Sequence, residues 1–282
     1  PAGPGHVSYR DGALAADRWK DAVGRAVQHI RAGGLDKVVL ARDVVARTTA
    51  PVDQRWLLRR LGEGYASCWT FAVDGLVGAT PELLLRSERG LVTSRVLAGT
   101  IRRTGDDEAD LARAAILAHS SKDLEEHEYA VDSLTRALEP FCSSTNVPET
   151  PFVLHLPNVL HLATDVTGVL QDRPHPSSLH LAAALHPTAA VAGTPTDAAC
   201  DLIAGLEGMD RARYAGPVGW MGADGDGEWG IALRSAELGE DPRTVRLFAG
   251  CGVVAASDPA AELAESEAKL EPMRHALHDA QD

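Results

Sequence analysis

The chain has 282 residues, 45% of them hydrophobic, enough to bury a large core in one big domain or two ordinary ones. Its 27 Lys and Arg stand against 40 Asp and Glu, and the formal charge of −13 opposes the phosphate neutralisation on which nucleic-acid and anionic-membrane binding depend. No apolar run approaches the roughly 18 residues of a membrane span, so neither nucleic acid nor membrane is expected as a partner.

The first 12 residues hold two Pro and three Gly, and residues 1–16 read as a loosely held N-terminal arm. This opening has no basic region followed by an apolar one and no initiator Met, which reads as a trimmed start without a secretory signal. "ALAADRWKDAVGRAVQHIRAGG" places apolar residues at helical spacing and stops on a Gly pair. "LDKVVLARDVVART" reads as a strand, "DQRWLLRRLGEG" as a short helix, and "ASCWTFAVDGLVGATPELLLRSERGLVTSRVLAGTI" as strands cut by D-G, T-P and R-G turns.

From Asp107 to Leu138 the pattern is helical, and residues 139–170 return to strand and loop. "PSSLHLAAALHPTAAVAG" and "PTDAACDLIAGLEGMDR" read as helices opened by Pro. "GPVGWMGADGDGEWGIALRSAELGEDPRTVRLFAGCGVVAAS" reads as three strands, followed by a long helix from Asp258 interrupted near Pro272. Strands and helices come in blocks, which predicts a large α+β domain with antiparallel sheets. The four cysteines (68, 142, 200, 251) include no C-x-x-C pair and read as reduced thiols of a cytoplasmic protein.

Several residues admit both a bland and a chemical reading. Lys37 shares a strand face with Val39 and Ala41; it is either a solvated strand-end lysine or a desolvated one able to act as a base. Glu82, ahead of three Leu in "TPELLLR", is either a strand-edge carboxylate or an acid kept protonated by apolar surroundings. In "KDLEEHEYAVDSLTRAL" the apolar stripe leaves Asp123 at its margin and Glu126 well away from its centre, so a solvent face is the default.

In "DPAAELAESEAKLEP" Asp258 caps a helix on which Glu262, Glu265 and Lys269 align at i, i+3 and i+7. If that face met the first acidic helix, the carboxylates would suit a hard cation such as Mg²⁺. The glycines of "VLAGTIRR" and "FAGCGVV" are either turn residues or places where backbone approaches an anion. His161 and Arg234, single polar residues in apolar strands, are either satisfied in the core or part of a pocket.

Taken in order, "DKVVLAR", "TPELLLR", "LAGTIRR", "KDLEEHE", "LHLAT", "LHPTAAVAGTP", "GPVGW", "GDGEW", "ALRSAEL", "FAGCGVV" and "AELAESEAKL" resemble the chorismate-utilising enzymes, a family of isochorismate, salicylate, anthranilate and aminodeoxychorismate synthases. The resemblance covers about residues 17–277 and implies one catalytic domain, 17–282, with two antiparallel sheets packed face to face and helices outside.

"GPVGW" with "GDGEW", and Lys rather than Gln in the first motif, are most similar to the isochorismate synthases within it. The resemblance implies chorismate as substrate, Mg²⁺ held by Glu126 and Glu265 with Glu262 and Asp123 in support, Lys37 as the base for water and Glu82 as the acid for the departing hydroxyl. It also implies that Arg234, Lys269 and the backbone of Gly250 and Gly252 bind carboxylates, and that His161, Gly99 and Thr100 line the pocket.

"GDGEW" itself is expected to be the turn of a hairpin whose second strand delivers Arg234, with Trp229 fixing its register and Glu228 outside the chemistry. A monomer is expected. Salicylate synthase, which would add pyruvate elimination, and a non-catalytic chorismate binder are the alternatives. Only 36 residues precede Lys37, fewer than in most of the family, which predicts open strand edges or bare apolar surface.

Overall fold

The computed structural model describes residues 1–171 and 174–278; the last four positions of the expected 17–282 domain lie outside the described residues. Strands β1 (Val7–Asp11) and β2 (Lys37–Thr48) flank helix α1 (Ala16–Arg31), and α2 (Gln54–Gly64) precedes β3 (Trp69–Val73), β4 (Leu76–Thr80), β5 (Leu83–Glu88) and β6 (Leu91–Arg102). Next come α3 (Asp107–Ala118), α4 (Ser121–Leu138), β7 (Cys142–Asn146), β8 (Phe152–His155) and β9 (Val159–Leu170). The chain continues through α5 (Ser178–Leu185), β10 (Gly193–Thr194), α6 (Thr196–Leu206), β11 (Pro217–Met221), β12 (Gly227–Ile231), β13 (Ser235–Leu238), β14 (Thr244–Val253) and α7 (Pro259–Leu277).

These strands form two antiparallel sheets. Sheet 1 has the order β1-β2-β14-β13-β4-β3 with β10 beside β2, and sheet 2 the order β11-β12-β5-β6-β9-β7 with β8 beside β9. Period-2 alternation sorts the long central strands of sheet 1. On β14, Val245, Leu247 and Ala249 join Trp56, Leu57 and Leu61 of α2 and Leu270 and Met273 of α7. The opposite face carries Phe248, which shares a core with Ala41 of β2, with Leu85, Val92 and Val166 of sheet 2, and with Ala130 and Leu134 of α4. None of the described helices is long and apolar enough to cross a membrane.

Four local readings differ from the sequence expectation. Val7–Asp11 is not loose: its backbone completes the edge of sheet 1 by pairing with Val44–Thr48 of β2. The helical stretch from Asp107 is two helices, because Ser120 ends one and caps the next by accepting from the Asp123 N–H at 3.3 Å. The predicted three strands after residue 216 are four, since the segment leaves sheet 2 after β12 and joins sheet 1 as β13. Pro272 is buried inside a helix that runs continuously to Leu277.

Candidate active site

The chain passes between the sheets at two adjacent corners. The first, between β4 and β5, is Pro81-Glu82; the second, between β12 and β13, ends at Arg234. They are tied together by the Ile231 N–H donating to the Glu82 carbonyl at 3.2 Å and the Ala79 N–H donating to the Arg234 carbonyl at 3.3 Å. Arg234 adopts φ 48°, a left-handed conformation that non-glycine residues seldom hold without surrounding constraint. The GDGEW hairpin is present, with Trp220 opposite Glu228 and Gly219 opposite Trp229. Its second strand does not itself carry Arg234; the corner beyond it does. Glu228 pairs with Arg86.

One cavity lies against both corners. Its lining includes Glu82, Gly99, Thr100, Glu126, His161, Arg234, Gly250, Gly252 and Lys269. Lys37 does not line it directly: its Nζ is fully buried, 3.6 Å from Oε1 of Glu126, and donates to the Glu126 carbonyl at 3.3 Å. The alternation along β2 is seen in the packing: Val38 and Leu40 join the core under α1, while Ala41 joins the core between the sheets and Val39 lines the cavity. The solvent-face default for Glu126 fails: the side chain is buried. It lies where a Cβ on Gly252 would come within 1.8 Å of Oε1, so the bare backbone of β14 is what admits it.

Burial dominates the electrostatics. It pushes Glu82 up to about 8 despite the opposing charges of Lys37, Arg234 and Lys269. It lowers Lys37, and Lys269 adds to that, while Glu126 and Glu82 oppose it. Burial alone would raise Glu126, yet Lys37, Lys269 and Lys122 together hold it below the usual carboxylate value. His161 falls well below its ordinary value through burial and then the Arg234 charge. Arg234 Nη2 can only donate, so Nε2 of His161 accepts at 2.6 Å, which leaves the proton on Nδ1, facing the Gly99 carbonyl at 3.2 Å and Thr100 Oγ1 at 3.0 Å. Lys269 donates to the Gly250 carbonyl at 3.0 Å and pairs with Glu265 at 2.6 Å.

Two of the four expected carboxylates, Glu262 and Glu265, converge on a site that fits a cation, whereas Glu126 and Asp123 are not in that group. Ligand atoms of Glu262, Glu265 and Cys251 lie within 4.8 Å of one another. Glu262 is pushed up to about 7 by burial and then by Glu265, a crowding of like charge that a bound divalent ion would relieve. Asp123 is raised by burial, with Glu126 and Glu265 adding to it, so the four carboxylates share one field. Cys251 turns its S–H toward the Glu262 carbonyl at 3.1 Å.

Sequence reasoning missed Tyr214 and Arg211, which also line the cavity. Tyr214 stacks on Phe248 with ring centroids 5.0 Å apart, and Arg211 is clamped by Glu207 and by the carbonyls of Val191 and Val39 at 2.8 Å. The signal was the "RARY" that stands one residue before "GPVGW".

A family model described as chorismate binding enzyme matches residues 4–278. The isochorismate synthase DhbC of Bacillus subtilis is 40% identical over 284 residues, covering 97% of this chain and 71% of that protein. MenF, the menaquinone-specific isochorismate synthase of Escherichia coli, superposes with a TM-score of 0.87 at 30% identity over 99% of this chain and 65% of that one. Anthranilate synthase component I of Streptococcus pneumoniae superposes with a TM-score of 0.82 at 26% identity over 97% of this chain and 60% of that one.

Proposed function

The chain belongs to the chorismate binding enzyme family, and on that premise we propose that it is an isochorismate synthase. Water attacks ring carbon 2 of chorismate, the double bonds shift, and the C4 hydroxyl departs. Lys37 takes a proton from the attacking water and Glu82 gives one to the leaving oxygen, so that neither hydroxide nor a free oxyanion has to form.

The observation that carries this reading is a buried carboxyl lining the cavity and a buried amine behind it, against Glu126 of the cavity wall, whose proton affinities are displaced toward each other. A lowered lysine has an unprotonated fraction to accept with; a glutamic acid raised to about 8 has a proton to donate at neutral pH.

Arg234 and Lys269 are the carboxylate partners, the first through a planar fork and the second as a point charge, with the backbone of Gly250 and Gly252 beside them. His161, neutral and fixed by Gly99 and Thr100, orients Arg234. Glu126, Glu265, Glu262 and Asp123 are the oxygen donors for Mg²⁺, which when bound supplies positive charge for the ring carboxylate of the substrate. The catalytic domain is taken as residues 17–282, with β1 of the preceding segment closing the edge of sheet 1. A cytoplasmic monomer is the proposed setting, the compartment supported by the four free cysteines.

The test is chromatographic product analysis after incubating the chain with chorismate, once with Mg²⁺ and once with a chelator. Isochorismate formed only with Mg²⁺ supports the reading. Salicylate with pyruvate would replace it by a salicylate synthase, and untouched chorismate would leave a binder.

A further inference from the structure

Only four of the 27 basic residues are lysines, Lys20, Lys37, Lys122 and Lys269; the rest are arginines. Three of the four meet at the carboxylate cluster, one against each glutamate: Lys37 faces Glu126, Lys269 faces Glu265, and Lys122 faces Glu262. The proposed chemistry uses Lys37 and Lys269 and gives Lys122 no task. Lys122 stands in the first turn of α4 and reaches across to α7, where its ammonium donates to Oε1 of Glu262. The glutamate side chain is 1% exposed and the lysine 27%, so the pair is sealed on one side and open to water on the other.

The choice of lysine has a physical meaning in this chain. Its lasting clamps are arginine forks: Arg95 grips both oxygens of Asp165 at 2.7 and 2.8 Å, and Arg211 grips both oxygens of Glu207. A guanidinium fork holds a carboxylate through two parallel bonds, whereas an ammonium holds one oxygen as a point charge on a flexible stem. A single ammonium contact on a stem that is open to water can be given up to an entering cation more readily than a two-bond fork.

We propose that Lys122 is the resident counter-charge of the metal site, neutralising Glu262 while no cation is bound and surrendering that carboxylate when a divalent cation enters. This rests on the reading of the four carboxylates as metal donors. Lys122 then sets the affinity for the cation without touching the substrate, as a positioning residue. It also keeps Glu262 and Glu265 from repelling each other in the metal-free protein.

Binding of Mn²⁺, followed by electron paramagnetic resonance without substrate, tests this on wild type, Lys122→Met and Lys122→Arg. The expected order of affinity is Met tightest, wild type next and Arg weakest, with Lys122→Met about threefold or more tighter than wild type, the scale of a partly exposed ion pair. A merely structural lysine would leave Lys122→Arg like wild type and make Lys122→Met weaker, and that pattern overturns the proposal. Wild type that binds no divalent cation removes the metal reading itself, whereas binding without the order removes only the role of Lys122.

Should Lys122→Met fail to fold without metal, carbon-13 reductive methylation of the folded wild type provides a second readout. With so few lysines the Lys122 signal is assigned by its loss in Lys122→Arg. It should move on addition of Mg²⁺; an unmoved signal overturns the proposal.

Discussion

Glu82 keeps its proton to higher pH than an ordinary carboxyl because burial outweighs three nearby positive charges. That has consequences for rate and for stability. As an acid in the reaction it works protonated, so kcat/KM should fall as pH rises through about 8, and the residual activity of Glu82→Gln should lack that limb. For stability the sign runs the same way. Below the ordinary value of 4.5 both folded and unfolded states hold the proton; between 4.5 and about 8 the unfolded chain ionises and the folded one does not, so folding loses stability across that window. Glu82→Gln cannot ionise and should gain on wild type by several kcal/mol, to order of magnitude, as pH rises through the window. Urea unfolding at intervals from pH 5 to 9 measures it, and a difference independent of pH would contradict the shifted carboxyl. Lys37→Ala should abolish turnover while the far-UV circular dichroism stays that of wild type; a near-normal rate would end its assignment as the base.

At the level of elements, α4 delivers Glu126 to the cavity only because β14 is bare at Gly252. Gly252→Ala puts a methyl 1.8 Å from the Glu126 carboxylate oxygen in an otherwise undisturbed strand, so the helix side chain and not the sheet has to yield. Turnover should drop roughly tenfold or more, with a thermal midpoint within a few degrees of wild type. Normal turnover would mean that Glu126 has another place to reach from. A second anchor of α4 is the contact of His127 Nε2 with Thr164 Oγ1 of β9 at 2.7 Å. Thr164→Val strands that ring nitrogen in the core and should cost about 1–3 kcal/mol in chemical denaturation, with little change if water can replace the hydroxyl.

These elements also mark where sequence reasoning stops. The helices and most strands were legible because capping residues, Gly stops and period-2 alternation act locally, and Lys37 with Val39 was placed on the correct face. Glu126 was not, since the apolar stripe of α4 says which face meets sheet 2 and nothing of the gap that Gly252 opens in sheet 1. Arg234 was attached to the wrong feature because a corner between sheets looks like a strand until the partners of both flanks are known.

Across the whole molecule the site is assembled from parts that only the complete fold brings together. Lys37, Gly250 and Gly252 come from sheet 1, Thr100 and His161 from sheet 2, Glu126 from α4 and Lys269 from α7, while Glu82 and Arg234 occupy the two corners between the sheets. The pairing that joins β2 to β14 spans about two hundred residues of sequence, with Lys37 just ahead of the Val38 to Val253 step, and no local pattern announces it. The scarcity of lysine was readable all along: in an arginine-rich chain, three of four lysines stand in or beside the quoted motifs.

Such a site should have no independent stability. Activity and far-UV circular dichroism are therefore expected to fade together in urea, as one cooperative transition. Saturating Mg²⁺ should move both curves to higher urea by the same amount, about 2.7 kcal/mol at a hundred times the dissociation constant. Activity lost at lower urea than the secondary structure would instead show that α4 and α7 part from the sheets before the sheets separate, and the Mg²⁺-dependent shift would then appear in the activity curve alone.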